Sequence, residues 1–195
     1  MAYEFNVKRE WRRQTSDGEY VILTDPTSIN LKFVNEAFAT DDMFWAKVLP
    51  EEQIRTMLAN SFTLGLYKVL PAVPAAQSSD SPSSPRTPSP TTEAQPAEQL
   101  QQVGLARYVT DYITWAYLTD VYVHHEHRGT GLGKWLIACC NEILGEIPSL
   151  RRALLLTTVD VGRRFYSREM GFHDVLEERE HLACMTRKTY RMDGK

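Results

Sequence analysis

The hydrophobic and polar positions divide the chain into short segments of period two and longer ones of helical period. Tyr3, Phe5 and Val7 alternate with polar residues and predict a short strand. Ser16-Asp17-Gly18-Glu19 reads as a turn, and Tyr20-Val21-Ile22-Leu23 as the strand behind it. Asp25-Pro26 supplies an N-cap and a first helical residue, and Ile29, Phe33, Val34, Ala37 and Phe38 give that helix its apolar face. A second helix is expected from Pro50-Glu51-Glu52, where acids suit the positive end of the helix dipole, with Ile54, Met57 and Leu58 as its buried stripe. Phe62 to Val69 alternates as a strand, Gln102 to Thr110 is expected to pair with it, and Trp115 to Val123 is the next strand. Leu132, Leu136, Cys139 and Ile143 then recur at helical spacing until Gly145 and Pro148 stop the helix. Ala153 to Thr158 is a continuous apolar run, expected to be a strand buried on both faces. A helix from about Gly162 to Met170 ends at Gly171, and Phe172 to Leu176 with His181 to Arg187 suggest a closing hairpin. This order predicts an α/β or α+β sheet with helices on both faces.

One stretch breaks the pattern. Residues 71–99 hold seven of the ten prolines and six serines, with no aromatic residue and no large apolar residue except Val73. Such a segment cannot bury enough surface to offset the entropy of ordering it. The flanking strands read as partners, so the segment is expected to be a disordered insert within one domain spanning residues 1–195. Loop closure grows only slowly more costly with length, so a hairpin tolerates the insertion.

Charge and composition narrow the function. A net charge of −3 gives no global field for nucleic acid or an anionic membrane surface. Basic residues cluster only locally, at Lys8 to Arg13, Arg151-Arg152 and Arg163-Arg164. No apolar run approaches the roughly 20 residues of a membrane helix. Met1 to Glu10 lacks the apolar centre of a signal peptide. Three cysteines, Cys139, Cys140 and Cys184, make no disulfide framework and suit a reducing compartment. The expectation is a cytoplasmic protein, or a nuclear one, monomeric or homodimeric, with no nucleic-acid or membrane partner.

The chemistry centres on His127-Arg128-Gly129-Thr130-Gly131-Leu132-Gly133-Lys134, between a strand and a helix. Three glycines in five residues let a chain turn tightly and aim bare backbone N–H groups at an anion. A Walker A loop fails here, because Arg128 stands where its first Gly is needed and Trp135 follows the Lys in place of Ser or Thr. The dinucleotide fingerprint fails too, because Lys134 and Leu136 occupy the positions of its third Gly. A nucleotide triphosphatase and a nicotinamide enzyme are both disfavoured.

What remains is Arg128-x-x-Gly131-x-Gly133 directly after Val121-Tyr122-Val123. This resembles the pyrophosphate loop of the GNAT acyl-CoA N-acyltransferase superfamily. Leu118 to Val123 is similar to that family's fourth strand, and Phe165-Tyr166-Ser167-Arg168-Glu169-Met170-Gly171-Phe172 to its Tyr-x-x-x-x-Gly-Phe segment. The resemblance implies a mixed, mostly antiparallel sheet splayed between the family's strands four and five. It implies acetyl-CoA as co-substrate, with the amides of Gly129, Thr130, Gly131, Leu132, Gly133 and Lys134 facing the pyrophosphate, and charge added by Arg128 and Lys134. The pantetheine arm would lie along Val121, Tyr122 and Val123.

Acyl transfer from a thioester to an amine needs a neutral amine, a polarised carbonyl and a protonated leaving thiolate. Tyr166 occupies the family's general-acid position. Asp120 is the acid on the strand that faces the thioester in this family. It could deprotonate the amine through water, bind its cationic form, or be a structural acid satisfied by the backbone. Thr119 stands where many small-amine members carry a second acid. Asp160-Val161-Gly162-Arg163-Arg164-Phe165-Tyr166 also departs from an Asp-Ala-His-Gly-Leu-Tyr pattern found in one branch, being one residue longer and lacking the His. The acceptor pocket of such folds points to Phe44, Trp45, Tyr112, Trp115 and Tyr117. No metal is expected: His124-His125-Glu126-His127 is not His-Glu-x-x-His, and neighbours at a strand end point oppositely. Cys139 and Cys140 are expected in the core rather than as nucleophiles. The function expected is acetyl-CoA-dependent N-acetyl transfer to a primary amine of a small molecule by direct attack in a ternary complex. The alternatives are an acyl-CoA-binding regulatory module without turnover, and a protein N-acetyltransferase.

Overall fold

The computed structural model describes residues 8–71, 98–177 and Met185. Six strands form one sheet in sequence order: β1 Glu10–Thr15, β2 Gly18–Leu23, β3 Phe62–Leu70, β4 Gln99–Thr110, β5 Trp115–Val123 and β6 Arg152–Leu155. The first four neighbour pairs are antiparallel, and β6 lies parallel to β5. The described residues also form four α-helices: α1 Leu31–Phe38, α2 Glu51–Ala59, α3 Leu132–Gly145 and α4 Val161–Met170. Helices α3 and α4 cover one face of the sheet, over a core that includes Ile22, Leu64, Tyr108, Leu118 and Leu136. Helices α1 and α2 cover the other, where Phe33, Val34, Ile54, Leu105 and Tyr122 meet. The mixed sheet with helices on both faces matches the expectation.

Several boundaries moved for local reasons. The strand foreseen at Tyr3 to Val7 lies outside the described residues. The first described strand is β1, inside the basic stretch, pairing with β2 across the Ser16-Asp17 turn. The single helix foreseen from Asp25 splits in two. Asp25 caps only a 3₁₀ turn, Pro26–Ser28, and Asn30 then starts α1 by accepting hydrogen bonds from the amides of Lys32 and Phe33. A second capping side chain restarts the helix because it satisfies donors that would otherwise be orphaned. Strand β6 ends at Leu155, and Leu156 is 69% exposed, so the run to Thr158 is not a doubly buried strand. The reason is its position: β6 is the last strand of the described sheet and pairs only with Trp115 to Leu118. Phe172 to Leu176 does not form a strand; a 3₁₀ turn occupies Val175–Glu177. The partner foreseen at His181 to Arg187 falls outside the described residues apart from Met185, as does most of the 71–99 insert. Around that insert, Leu70 pairs with Gln99 and Val69 with Leu100, so the two strands do form the expected hairpin.

The decisive local feature is a bulge in β5. Leu105 pairs with Tyr122 and Arg107 with Thr119, so Ala106 alone faces Asp120 and Val121. Asp120 has φ of +52°, a left-handed conformation that costs a non-glycine residue about 1–3 kcal/mol. The extra residue reverses the alternation of the strand. Ala116 and Leu118 belong to the α3 core, and beyond the bulge Val121 and Val123 pack there, while Tyr122 turns to the α1–α2 core.

Candidate active site

The glycine turn is built as the sequence suggests. Strand β5 ends at Val123, a 3₁₀ turn spans His125–His127, and Gly131 is the N-cap of α3. Gly129 and Gly131 have φ of +84° and +81°, a region that glycine enters at no steric cost. Gly131 has no side chain to cap α3, and no side-chain cap hydrogen bond is made there. Helical geometry leaves the first amides of α3 without intrahelical acceptors, so Leu132, Gly133 and Lys134 present N–H groups at the positive end of the helix dipole. That is the donor set a pyrophosphate needs.

The cations flanking it are arranged differently from the expectation. Arg128 turns back: Nε donates to the Val123 carbonyl at 2.8 Å, Nη2 reaches Asp42 at 2.7 Å, and the guanidinium stacks 5.6 Å from the Tyr122 ring centroid. Lys134 is held by Glu169 of α4 at 3.1 Å. Both charges are thus engaged by acids that the motif did not reveal. A cation the motif missed stands nearby: Arg13 of β1 donates to the Gly131 carbonyl at 3.4 Å and lies 5.9 Å from the Trp135 ring. Only the sheet order could reveal Arg13, since over a hundred residues separate it from the loop.

Strand β5 offers the second half of the site. Its register with β6 stops at Leu118–Leu155. From Thr119 to Val123 that side of β5 faces no strand among the described residues, while the other side pairs with β4. Val121, Tyr122 and Val123 lie on this stretch, as expected, although Arg128 already occupies the Val123 carbonyl. The Tyr122 ring is buried in the α1–α2 core, which pushes its phenol pKa up.

Asp120 is 4% exposed, and its carboxylate is fully engaged. Arg107 donates to Oδ2 from Nε at 2.7 Å and from Nη2 at 2.6 Å; Trp45 Nε1 at 3.2 Å and the Thr119 hydroxyl at 3.1 Å donate to Oδ1. Its partners are side chains, not the backbone. Arg107 escaped the sequence reading, although an Arg between Ala106 and Tyr108 in a buried strand is itself a sign that a buried acid must exist. Trp45 reaches this cluster and stacks edge-on against Phe44 at 5.0 Å. Both remain exposed, Phe44 at 63% and Trp45 at 42%. Trp115 sits at the opposite end of β5, roughly 17 Å along the strand from Asp120 at the usual rise per residue. Tyr117 lies between them. The structure therefore groups Trp45 with Asp120 but leaves Trp115 apart.

Tyr166 projects from α4 against the α3 core. Burial, and secondarily Cys140, push its phenol up to about 12. Burial likewise raises the Cys139 thiol to about 12 and Cys140 further still, and a thiol held protonated is a poor nucleophile. A cavity of about 590 Å³ opens beside β6, lined by Leu154, Leu156, Tyr166 and Phe172 among others. No residue of the glycine turn lines it, so Tyr166 is the only foreseen site residue that touches it.

Residues 97–174 match the family model for an acetyltransferase (GNAT) domain. A Gibberella zeae protein named "Putative acetyltransferase" is 35% identical over 169 residues, which is 87% of this chain and 85% of that one. A crystal structure from Xanthomonas campestris pv. campestris, described as "a putative acetyltransferase belonging to the gnat family", superposes with a TM-score of 0.56 at 26% identity, over 80% of this chain and 86% of that one. A Staphylococcus aureus structure described as a "Probable Acetyltransferase" shares the fold, with a TM-score of 0.55 at 13% identity, over 87% of this chain and 98% of that one. The matched domain and the identity across most of both chains lead to one conclusion: this chain belongs to the GNAT acetyltransferase family.

Proposed function

We propose that the protein transfers an acetyl group from acetyl-CoA to a primary amine of a small molecule, by direct attack in a ternary complex. The uncapped, glycine-opened start of α3 carries this reading, because it presents unpaired amides at the end of a strand whose edge faces no other strand among the described residues. Leu132, Gly133 and Lys134 would hold the pyrophosphate, and the edge of Val121 to Val123 the pantetheine arm. The co-substrate supplies an activated thioester. Among the chain's own groups, Tyr166 donates a proton, or a strong hydrogen bond, to the leaving sulfur. Its raised pKa keeps it protonated at neutral pH. The apolar surroundings that raise the phenol also raise the thiol being expelled, which keeps donor and acceptor close in affinity for the proton.

Asp120 is best assigned as a positioning residue. Arg107 neutralises it, and its bonds to Trp45 and Thr119 fix the wall that the amine would approach. The exposed Phe44-Trp45 pair suits a cationic or flat acceptor. Buried, protonated thiols at Cys139 and Cys140 argue for direct attack over a cysteine-bound acetyl intermediate. A cytoplasmic location is proposed from cysteine usage alone.

Calorimetry with acetyl-CoA, then free-thiol release against an amine panel, tests the proposal. Saturable binding, amine-dependent release and intersecting initial-velocity lines are expected. Absence of binding overturns it. Binding with no acceptor indicates a regulatory module, acceptance only of peptides a protein acetyltransferase, and parallel lines a substituted-enzyme route.

A further inference from the structure

The short segment between β5 and the glycine turn brings together three side chains that can ligate a metal. The alternation that separates neighbours on a strand ends at Val123, where the chain enters the 3₁₀ turn His125–His127. Within that turn, one ligand atom each from His124, Glu126 and His127 lies within 4.8 Å of the others. His124 Nδ1 is 3.7 Å from Glu126 Oε2. The expectation that these residues diverge therefore fails, because a turn, not a strand, holds them.

Two independent features point to a ligand. The first is hydrogen bonding behind His127. The Tyr20 hydroxyl donates its one proton to Asp17 Oδ2 at 2.6 Å, and its oxygen lies 2.9 Å from His127 Nδ1. Nδ1 must then carry the ring proton, which leaves Nε2 as the lone-pair nitrogen of the neutral ring. An outer hydrogen bond that fixes the tautomer is the usual support of a metal-bound imidazole. The second is space. A polar cavity of about 400 Å³ is lined by His124, Glu126 and His127, with Glu36 and Gln102 across it. Lys32 also borders it, but pairs with Glu36 at 3.5 Å.

We propose that His124, Glu126 and His127 form a binding site for a divalent transition-metal ion, with zinc the best match. Two imidazoles and a carboxylate are a recurrent zinc ligand set, and water or Glu36 would complete four-coordination. Zinc bonds of 2.0–2.2 Å place ligand atoms about 3.4 Å apart in a tetrahedron, so the set must contract by roughly an ångström. Glu126 is exposed and can supply most of that movement, while His124 is partly exposed and stacks on His125 with ring centroids 4.3 Å apart. The ion would join the end of β5 to the turn that immediately precedes Arg128, bracing the entry to the glycine turn.

The test uses the untagged full chain, stripped with a chelator and titrated with Co²⁺ alone. Visible ligand-field absorption reads the geometry, and Zn²⁺ competition reads the affinity. One ion per chain with tetrahedral-type absorption is expected. His124→Ala and Glu126→Gln should each weaken zinc at least tenfold, while His125→Phe, which keeps a ring stacked on His124 but cannot ligate, should leave it unchanged. Far-UV circular dichroism and thermal melting of the metal-free variants report their folding independently. Absence of saturable binding overturns the site, as does binding insensitive to His124 and Glu126, or lost equally in His125→Phe.

Discussion

Asp120 combines three demands that rarely meet in one residue: burial, a positive φ and a full set of side-chain partners. Removing it by Asp120→Ala leaves Arg107 charged and 12% exposed, a situation that destabilises by about 3–5 kcal/mol. Chemical denaturation should show that loss. The pair Arg107→Met with Asp120→Asn should recover much of it, since Asn tolerates a positive φ and no charge is stranded. Equal instability of the single and double variants would remove the ion pair as the cause. The proposed chemistry rests instead on Tyr166. Tyr166→Phe should lower kcat by about 10²–10⁴, the range of a lost general acid, with acetyl-CoA affinity unchanged within a few-fold. Full turnover in that variant would end the assignment. Because burial favours the neutral phenol, the group stabilises the fold fully below the ordinary phenol range. That contribution is lost as pH rises from about 10, where the unfolded chain ionises, to about 12, where the folded one does. Urea midpoints measured across that range should fall in the wild type and fall less in Tyr166→Phe. The sequence made both residues visible, but only the packing revealed that Asp120 is already neutralised.

At the scale of elements, the glycine turn separates conformational need from steric need. A Cβ at Gly131 would meet nothing closer than Arg13 Nη2 at 3.7 Å, so Gly131→Ala has room but is strained by its φ of +81°. It should lose about 1–2 kcal/mol of stability, together with acetyl-CoA affinity, because the strained residue sets the direction of the first helical amides. Gly133 lies inside α3 with no positive φ, and a Cβ there would touch only Val123 Cγ2 at 4.0 Å. Gly133→Ala should gain up to about 1 kcal/mol from helix propensity and still bind acetyl-CoA. Melting curves with and without the co-substrate check both, and equal behaviour of the two variants would contradict this division. Residue types alone located the turn, because only glycine accepts those angles cheaply. They did not locate the cations: Arg128 and Lys134 are spent on Asp42 and Glu169, while Arg13 arrives from another strand.

For the molecule as a whole, the hairpin of β3 and β4 brackets a long excursion. With Leu70 opposite Gln99, replacing residues 71–98 by Asn-Gly gives a two-residue turn of the type hairpins favour. Melting temperature and acetyl-CoA binding should be unchanged or improved, since a shorter loop loses less entropy on closure. A large loss of stability would show that the segment packs on the domain. Local pattern by itself determined where most strands and helices run, that helices cover both faces, and where the glycine turn opens α3. These follow from periodicity, caps and glycine, which act over a few residues. The tertiary structure alone decided the bulge at Asp120, the partner Arg107, the end of the β5–β6 pairing at Leu118 and the convergence of His124, Glu126 and His127. Each depends on register between segments distant in sequence, or on where a strand stops, and neither is encoded in the period of any one segment.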